Sequence, residues 1–125
     1  MGILVLVISA AIVVLDQIFK YLAINNLKSV ENVAVIDNLL YFTYLENRGA
    51  AFGIFSNQRW LFIISNVLAI ILLVYLVFVK KFQSKIFNIS VALIIGGGVG
   101  NLIDRIFLGY VVDYIQISFF PPVCN

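Results

Sequence analysis

Three long apolar runs, at residues 3–24, 60–79 and 86–108, decide what this chain can become. Each is long enough to cross a hydrocarbon core, which needs roughly 20 residues per helix. The second run is the cleanest, broken only by Ser65 and Asn66. Of all residues 63% are hydrophobic and 11% charged, where a soluble domain has about 45–50% and about 25%. The sequence therefore predicts a mainly α, polytopic membrane helix bundle forming one small domain over residues 1–125. The first run is read as a retained span: it has no basic leader and outlasts the apolar core of a signal peptide. Leu6 in place of Ser or Thr also removes the myristoylation pattern.

Orientation follows from lysine placement. Residues 80–85, KKFQSK, carry Lys80, Lys81 and Lys85 with no acid, so this short loop is expected on the cytoplasmic side. The N-terminus is then cytoplasmic, and residues 25–58 and 109–125 lie outside. From Lys85 to Asp104 is nineteen helical steps, about 28 Å of a core about 30 Å thick, which brings Asp104 to the outer boundary. Asp16 lies about 20 Å along the first helix and Lys20 about 6 Å further. Charges of two separate helices are thus expected at one level.

The outer segment differs in texture. Residues 33–36 and 39–45 are β-branched and aromatic around Asp37-Asn38, a hairpin signal. A small extracytoplasmic β-hairpin is expected there, lying on the membrane surface. Phe119-Phe120-Pro121-Pro122 is expected to end regular structure, leaving an outer tail. The third run is expected to loosen at Gly96, Gly97, Gly98 and Gly100. Some chemistries are excluded at once. With no histidine and a single cysteine, Cys124, there is no internal disulfide and no plausible zinc site. A net charge of +2 gives no footprint for nucleic acid.

Ionisable groups at membrane depth are by default functional. Asp104 and Asp113 stand nine residues apart at the outer end of the third run. Two carboxyls held close share a proton, so one can activate water while the other donates to the scissile group, with no metal or cofactor. Spacing alone leaves a second reading open, in which Asp104 pairs with Arg105 and Asp113 is a solvated loop acid. Asp16 and Lys20, at i and i+4, also read as a self-neutralising pair. Asn47 reads as a substrate ligand or a loop cap. The glycines read as room for a ligand or for helix packing.

Taken in order, these residues resemble the lipoprotein signal peptidase (signal peptidase II) family. Asp16-Gln17 with Lys20 matches its first-helix signature, and Asn47-Arg48-Gly49-Ala50-Ala51-Phe52-Gly53 its Asn-x-Gly-Ala-Ala-Phe block. Gly100-Asn101-Leu102-Ile103-Asp104-Arg105 matches Gly-Asn-x-x-Asp-Arg, and Val111-Val112-Asp113-Tyr114 the surroundings of the second aspartate. The resemblance implies an inner-membrane aspartyl endopeptidase that cuts signal peptides from prolipoproteins just before the diacylglyceryl-bearing cysteine. It implies Asp104 and Asp113 as the catalytic dyad. Asp16, Lys20, Asn101 and Arg105 would support them, with Asn47, Gly49 and Ala51 facing substrate. Membrane lipids and globomycin-type cyclic peptides are the other partners it implies. The family has four spans, the last opening on Phe-Asn-x-Ala-Asp. Val123-Cys124-Asn125 falls in that block, with Cys124 at the Phe position and Asn125 as its asparagine. The present sequence is thus expected to carry three spans of four, short of one wall of the site.

Two rival functions remain at this stage. A small ion or proton carrier would relay through Asp16, Lys20, Asp104 and Asp113, and a lipid-binding subunit would need neither aspartate.

Overall fold

A computed structural model describes residues 1–50, 54–80 and 83–125. Helix α1 spans Gly2–Leu27, α2 Arg59–Lys80 and α3 Lys85–Phe107; strands β1 Val33–Ile36, β2 Leu40–Asn47, β3 Val111–Ile117 and β4 Phe120–Cys124 complete the chain. All three helices are long and apolar enough to cross a membrane. Their outward side chains are exposed hydrophobics such as Ile3, Ile64, Leu68 and Ile94, as lipid-facing surfaces require. α3 lies between the other two, and α1 and α2 barely touch.

Helix α3 starts where Ser84 caps it, its Oγ accepting from Phe87 N at 3.3 Å. It does not loosen at its glycines but runs unbroken to Phe107. The glycines are the price of proximity to α1. A Cβ on Gly96 would stand 2.6 Å from Ile12 Cγ2 and 3.0 Å from Ser9 O, and one on Gly100 would overlap the Asp16 carboxylate. Close backbone approach by small residues is the usual device of helix pairs in lipid, where burial supplies no drive. Ser9 Oγ adds a hydrogen bond across the pair to Ala92 O at 3.1 Å. The helix stops at Gly109, whose φ of +87° only glycine adopts without strain.

The β element is larger than a hairpin. β1 and β2 pair antiparallel, turning at Asn38 with φ +61°, but the sheet has four strands in the order β1-β2-β3-β4. The expected end of regular structure at Phe119 is therefore corrected: residues 120–124 form an edge strand. Prolines fit there because β4 pairs with β3 through Cys124, Val123 and Phe120, with a register shift that leaves Pro121 and Pro122 out of the ladder.

Two apolar clusters hold the parts together. Val5, Val77, Val91, Ala92 and Ile95 join the three helices. Ala23, Leu27 and Val112, with Tyr44, Tyr110 and Tyr114 around them, join the end of α1 to the sheet. Asp16 and Lys20 of α1 and Asp104 and Arg105 of α3 lie between these clusters, in a layer of their own.

Candidate active site

Lys20 is the centre of that layer, with 2% of its side chain exposed. Its Nζ reaches Asp16 Oδ2 at 2.9 Å, Asp104 Oδ2 at 3.1 Å and Asn101 Oδ1 at 2.9 Å. An ammonium has three donors, and all three are used. The i,i+4 pair expected from sequence is present, but it is only half of the arrangement. The second acid comes from α3, 84 positions away.

Asp104 is enclosed by donors. Its Oδ1 accepts from Gln17 Nε2 at 3.2 Å, and its Oδ2 from Lys20 and from the backbone N–H of Val112 at 3.0 Å. The alternative in which Asp104 pairs with Arg105 is not what the fold builds. Arg105 turns the other way, donating from Nη2 to Gly49 O at 3.3 Å and covering the Phe62 ring at 4.9 Å.

Asp113 sits on β3 beside Val112 and is 4% exposed, so it is no solvated loop acid. Asn47 Nδ2 donates to its Oδ2 at 2.9 Å. Among the described residues, none donates to its Oδ1. Burial pushes this carboxyl up from 3.8 to about 6, against the Asn47 hydrogen bond and the charges of Lys20 and Arg105; the charge of Asp104 adds to the rise. One acid thus has both oxygens engaged; the other, among the described residues, has a donor on only one oxygen and holds its proton up to about pH 6.

Asn47 takes the loop-cap part that spacing left open and also holds Asp113. It donates to Asp113 while its Oδ1 accepts from Gly49 N at 2.9 Å, closing a turn. At Gly49 the backbone closes on itself, since a Cβ would lie 2.8 Å from Ile54 O. Asn101 Oδ1 accepts from Lys20 and from Asn125 Nδ2 at 2.8 Å, and the same Asn125 amide lies 3.4 Å from Val112 O. The end of β4 is thereby tied to the site. Ala51, expected to face substrate, lies outside the described residues.

Two residues escaped the sequence reading. Gln17 spans α1 and α3, its Nε2 within 3.1 Å of Asp16 Oδ2, 3.3 Å of Gly100 O and 3.2 Å of Asp104 Oδ1. Its signal was its place, three residues before Lys20 and so on the same helix face. Arg59, at the start of α2, donates to Arg105 O at 2.6 Å and to Ile106 O, neutralising the carbonyl end of α3. Nothing local in the sequence announces a partner 46 residues away.

A groove of about 360 Å³ runs beside the site, with Asn47, Arg48 and Gly49 on one wall and Pro121, Pro122 and Val123 on the other. No group of His, Cys, Asp and Glu among the described residues has a metal-binding arrangement. The constellation is two buried acids of unequal environment, served by fixed amides and cations, at the end of a membrane helix next to a peptide-sized groove.

The comparisons with known proteins agree with one another. A family model described as signal peptidase (SPase) II matches residues 8–125. A lipoprotein signal peptidase of Caldanaerobacter subterraneus subsp. tengcongensis is 46% identical over 120 residues, which is 96% of this chain and 82% of that protein. One from Lactobacillus johnsonii is 39% identical, covering 93% of this chain and 75% of the relative. Two solved structures described as bacterial membrane enzymes share the fold. One has a TM-score of 0.87 at 31% identity, covering 97% of this chain and 76% of its own. The other has 0.82 at 34%, covering 97% and 80%.

Proposed function

This chain belongs to the signal peptidase II family, and from that premise we propose that it is an aspartyl endopeptidase working at the outer face of the bacterial inner membrane. Its substrates are prolipoproteins, cut just before the cysteine that carries a diacylglyceryl group. The groove between residues 47–49 and β4 takes the extended peptide, and Asn47 and Gly49 face it. Globomycin-type cyclic peptides inhibit by occupying the acids. The whole chain is one membrane domain with its N-terminus and residues 80–85 cytoplasmic.

The chemistry needs an ionised carboxylate to take a proton from water and a protonated one to donate to the scissile carbonyl. The water oxygen adds to the carbonyl carbon, the proton passes to the departing amine, and the C–N bond breaks without a covalent intermediate. Spacing alone treats Asp104 and Asp113 as equal partners, whereas their surroundings support unequal parts. The observation that carries the proposal is the Oδ1 of buried Asp113, which takes no donor among the described residues; on this reading Asp113 is the acid that meets the carbonyl. Asp104, shared among Lys20, Gln17 and Val112 N–H, keeps the pair's negative charge and fixes β3 behind Asp113.

A second reading concerns which carboxylate draws the proton from water. The Asn125 amide is tied to Asn101 and Val112 O, so the polypeptide leaves β4 beside Asp113. The aspartate that the family block places three residues after its asparagine would arrive there, with Asp104 acting behind both. A proton relay is disfavoured, because α2 contains no acid and Asp16 and Asp104 belong to the outer halves of α1 and α3.

The test uses the full-length protein in proteoliposomes with a diacylglyceryl-modified precursor. Asp113→Asn is expected to abolish cleavage at every pH while the protein still melts cooperatively; cleavage at the wild-type rate would remove Asp113 from the mechanism. Asp104→Asn separates the two readings. Loss of turnover with an unchanged melt makes Asp104 the second acid, and loss accompanied by a lowered melt makes it the positioning one.

A further inference from the structure

A further apolar feature lies where the end of α1 meets the sheet. An apolar cavity of about 290 Å³ runs along the last turns of the helix, lined by Phe19, Leu22, Ala23 and Leu27 and closed by Phe42 and Tyr114 of the sheet. From Phe19 to Lys28 is nine helical steps, about 14 Å, and Phe19 is just above the level of the acids. The cavity therefore begins in the outer hydrocarbon edge and ends at the headgroup layer. At that upper end Lys28 follows Leu27, 58% exposed, with its Nζ 5.5 Å from the centroid of Tyr44.

The charges around Lys28 form one cluster. Glu46 accepts from Tyr44 OH at 3.2 Å, and lies 3.8 Å from Lys28 Nζ and 3.5 Å from Arg48 Nη2. Arg48 is 50% exposed and stacked on Tyr110 at 5.0 Å. Two cations share one carboxylate at long range, so the cluster carries one net positive charge and has donors to spare. Apolar below and cationic above is the complement of a single anionic amphiphile.

We propose that this cavity and the Lys28–Arg48 pair form a binding site for one membrane phospholipid with an anionic headgroup, an acyl chain lying against α1 and the phosphate between the two cations. The diacylglyceryl group of a substrate would suit the cavity but has no charge for the cations, which is why the phospholipid is favoured. None of these side chains belongs to the acid layer, although Glu46 and Arg48 also border the peptide groove; lipid retention, unlike cleavage, reads this site apart from the peptidase reading.

The charges give it opposite-signed tests. In phosphatidylcholine nanodiscs holding a minor fraction of spin-labelled phosphatidylglycerol, the full-length protein is expected to immobilise one labelled lipid in preference to labelled phosphatidylcholine. Near a membrane surface each cation contributes about 1 kcal/mol, so Lys28→Gln is expected to weaken retention about fivefold and Glu46→Gln to strengthen it about fivefold. Inorganic phosphate, with charge but no chain, is expected not to displace the label. Equal retention of the two lipids overturns the proposal, as does retention that ignores Lys28→Gln or displacement by phosphate alone. Displacement by an uncharged diacylglyceryl peptide at equal concentration would assign the cavity to the substrate instead, and also overturn it.

Discussion

Replacing Asp113 by Asn should make the protein inactive and, above neutral pH, more stable. The side chain is 4% exposed, and burial raises its carboxyl from 3.8 to about 6. Below pH 4 it is protonated in both folded and unfolded chains and contributes no difference. Between pH 4 and 6 the unfolded chain releases the proton while the folded one retains it, so stability falls as pH rises. Above pH 6 the full penalty stands: two pK units are worth about 3 kcal/mol. The uncharged amide of the Asp113→Asn variant would escape it, and its carbonyl can still accept from Asn47 Nδ2, which now serves Asp113 at 2.9 Å. Wild type and Asp113→Asn should therefore melt together at pH 4, diverge through pH 4–6 and keep a constant gap to pH 8, the variant higher. Melts in one detergent across this range, with cleavage of a lipidated precursor measured in parallel, provide the assay. A gap that does not change with pH, or a variant less stable at pH 7.5, would refute the argument that burial of Asp113 sets its proton affinity.

Other changes test the frame around it. Lys20→Met leaves Asp16 and Asp104 buried without their ammonium, and is expected to cost about 3–5 kcal/mol and abolish cleavage; an unchanged melting temperature would contradict it. Gly100→Ala forces a methyl into the Asp16 carboxylate and should lower both the melting temperature and the rate of precursor cleavage. Gly97→Ala, with nothing within 4 Å, should leave activity intact and stabilise α3 by up to about 1 kcal/mol. Arg59→Ala strips Arg105 O and Ile106 O of their donor at the end of α3; about 1–3 kcal/mol should be lost, seen as faster hydrogen exchange at Leu108 and Gly109.

Much of this frame was legible in the sequence because lipid leaves few options. Run length gave three helices, and the turn chemistry of Asp37-Asn38 gave β1 and β2. The misreadings have local causes. Pro121-Pro122 signals an end of structure, yet an edge strand can place both outside its ladder. Glycines at 96–98 and 100 signal a weak helix, and their cost becomes visible as purpose only once Ile12, Ser9 and Asp16 stand against Gly96 and Gly100. Gln17 and Arg59 act on backbone and side chains 46 to 87 positions away, beyond any pattern of local spacing.

The charges show most sharply where sequence logic holds and where it yields. Helices α1 and α3 each carry a neutral local pair in sequence, Asp16 with Lys20 and Asp104 with Arg105, which suits separate insertion into lipid. Packing exchanges partners: Lys20 takes Asp104 as well, and Arg105 is released to Gly49 O, from where its charge acts on Asp113. Three carboxyls, Asp16, Asp104 and Asp113, now face two cations, Lys20 and Arg105, leaving one negative charge in excess. A layer enclosed between two apolar clusters is neutral only if one acid keeps its proton. Asp16 and Asp104 have the ammonium between them, whereas among the described residues Asp113 has one neutral amide on one of its oxygens. Charge balance and the hydrogen-bond inventory among the described residues thus point to the same residue, Asp113, as the acid that holds its proton longest as pH rises, up to about pH 6.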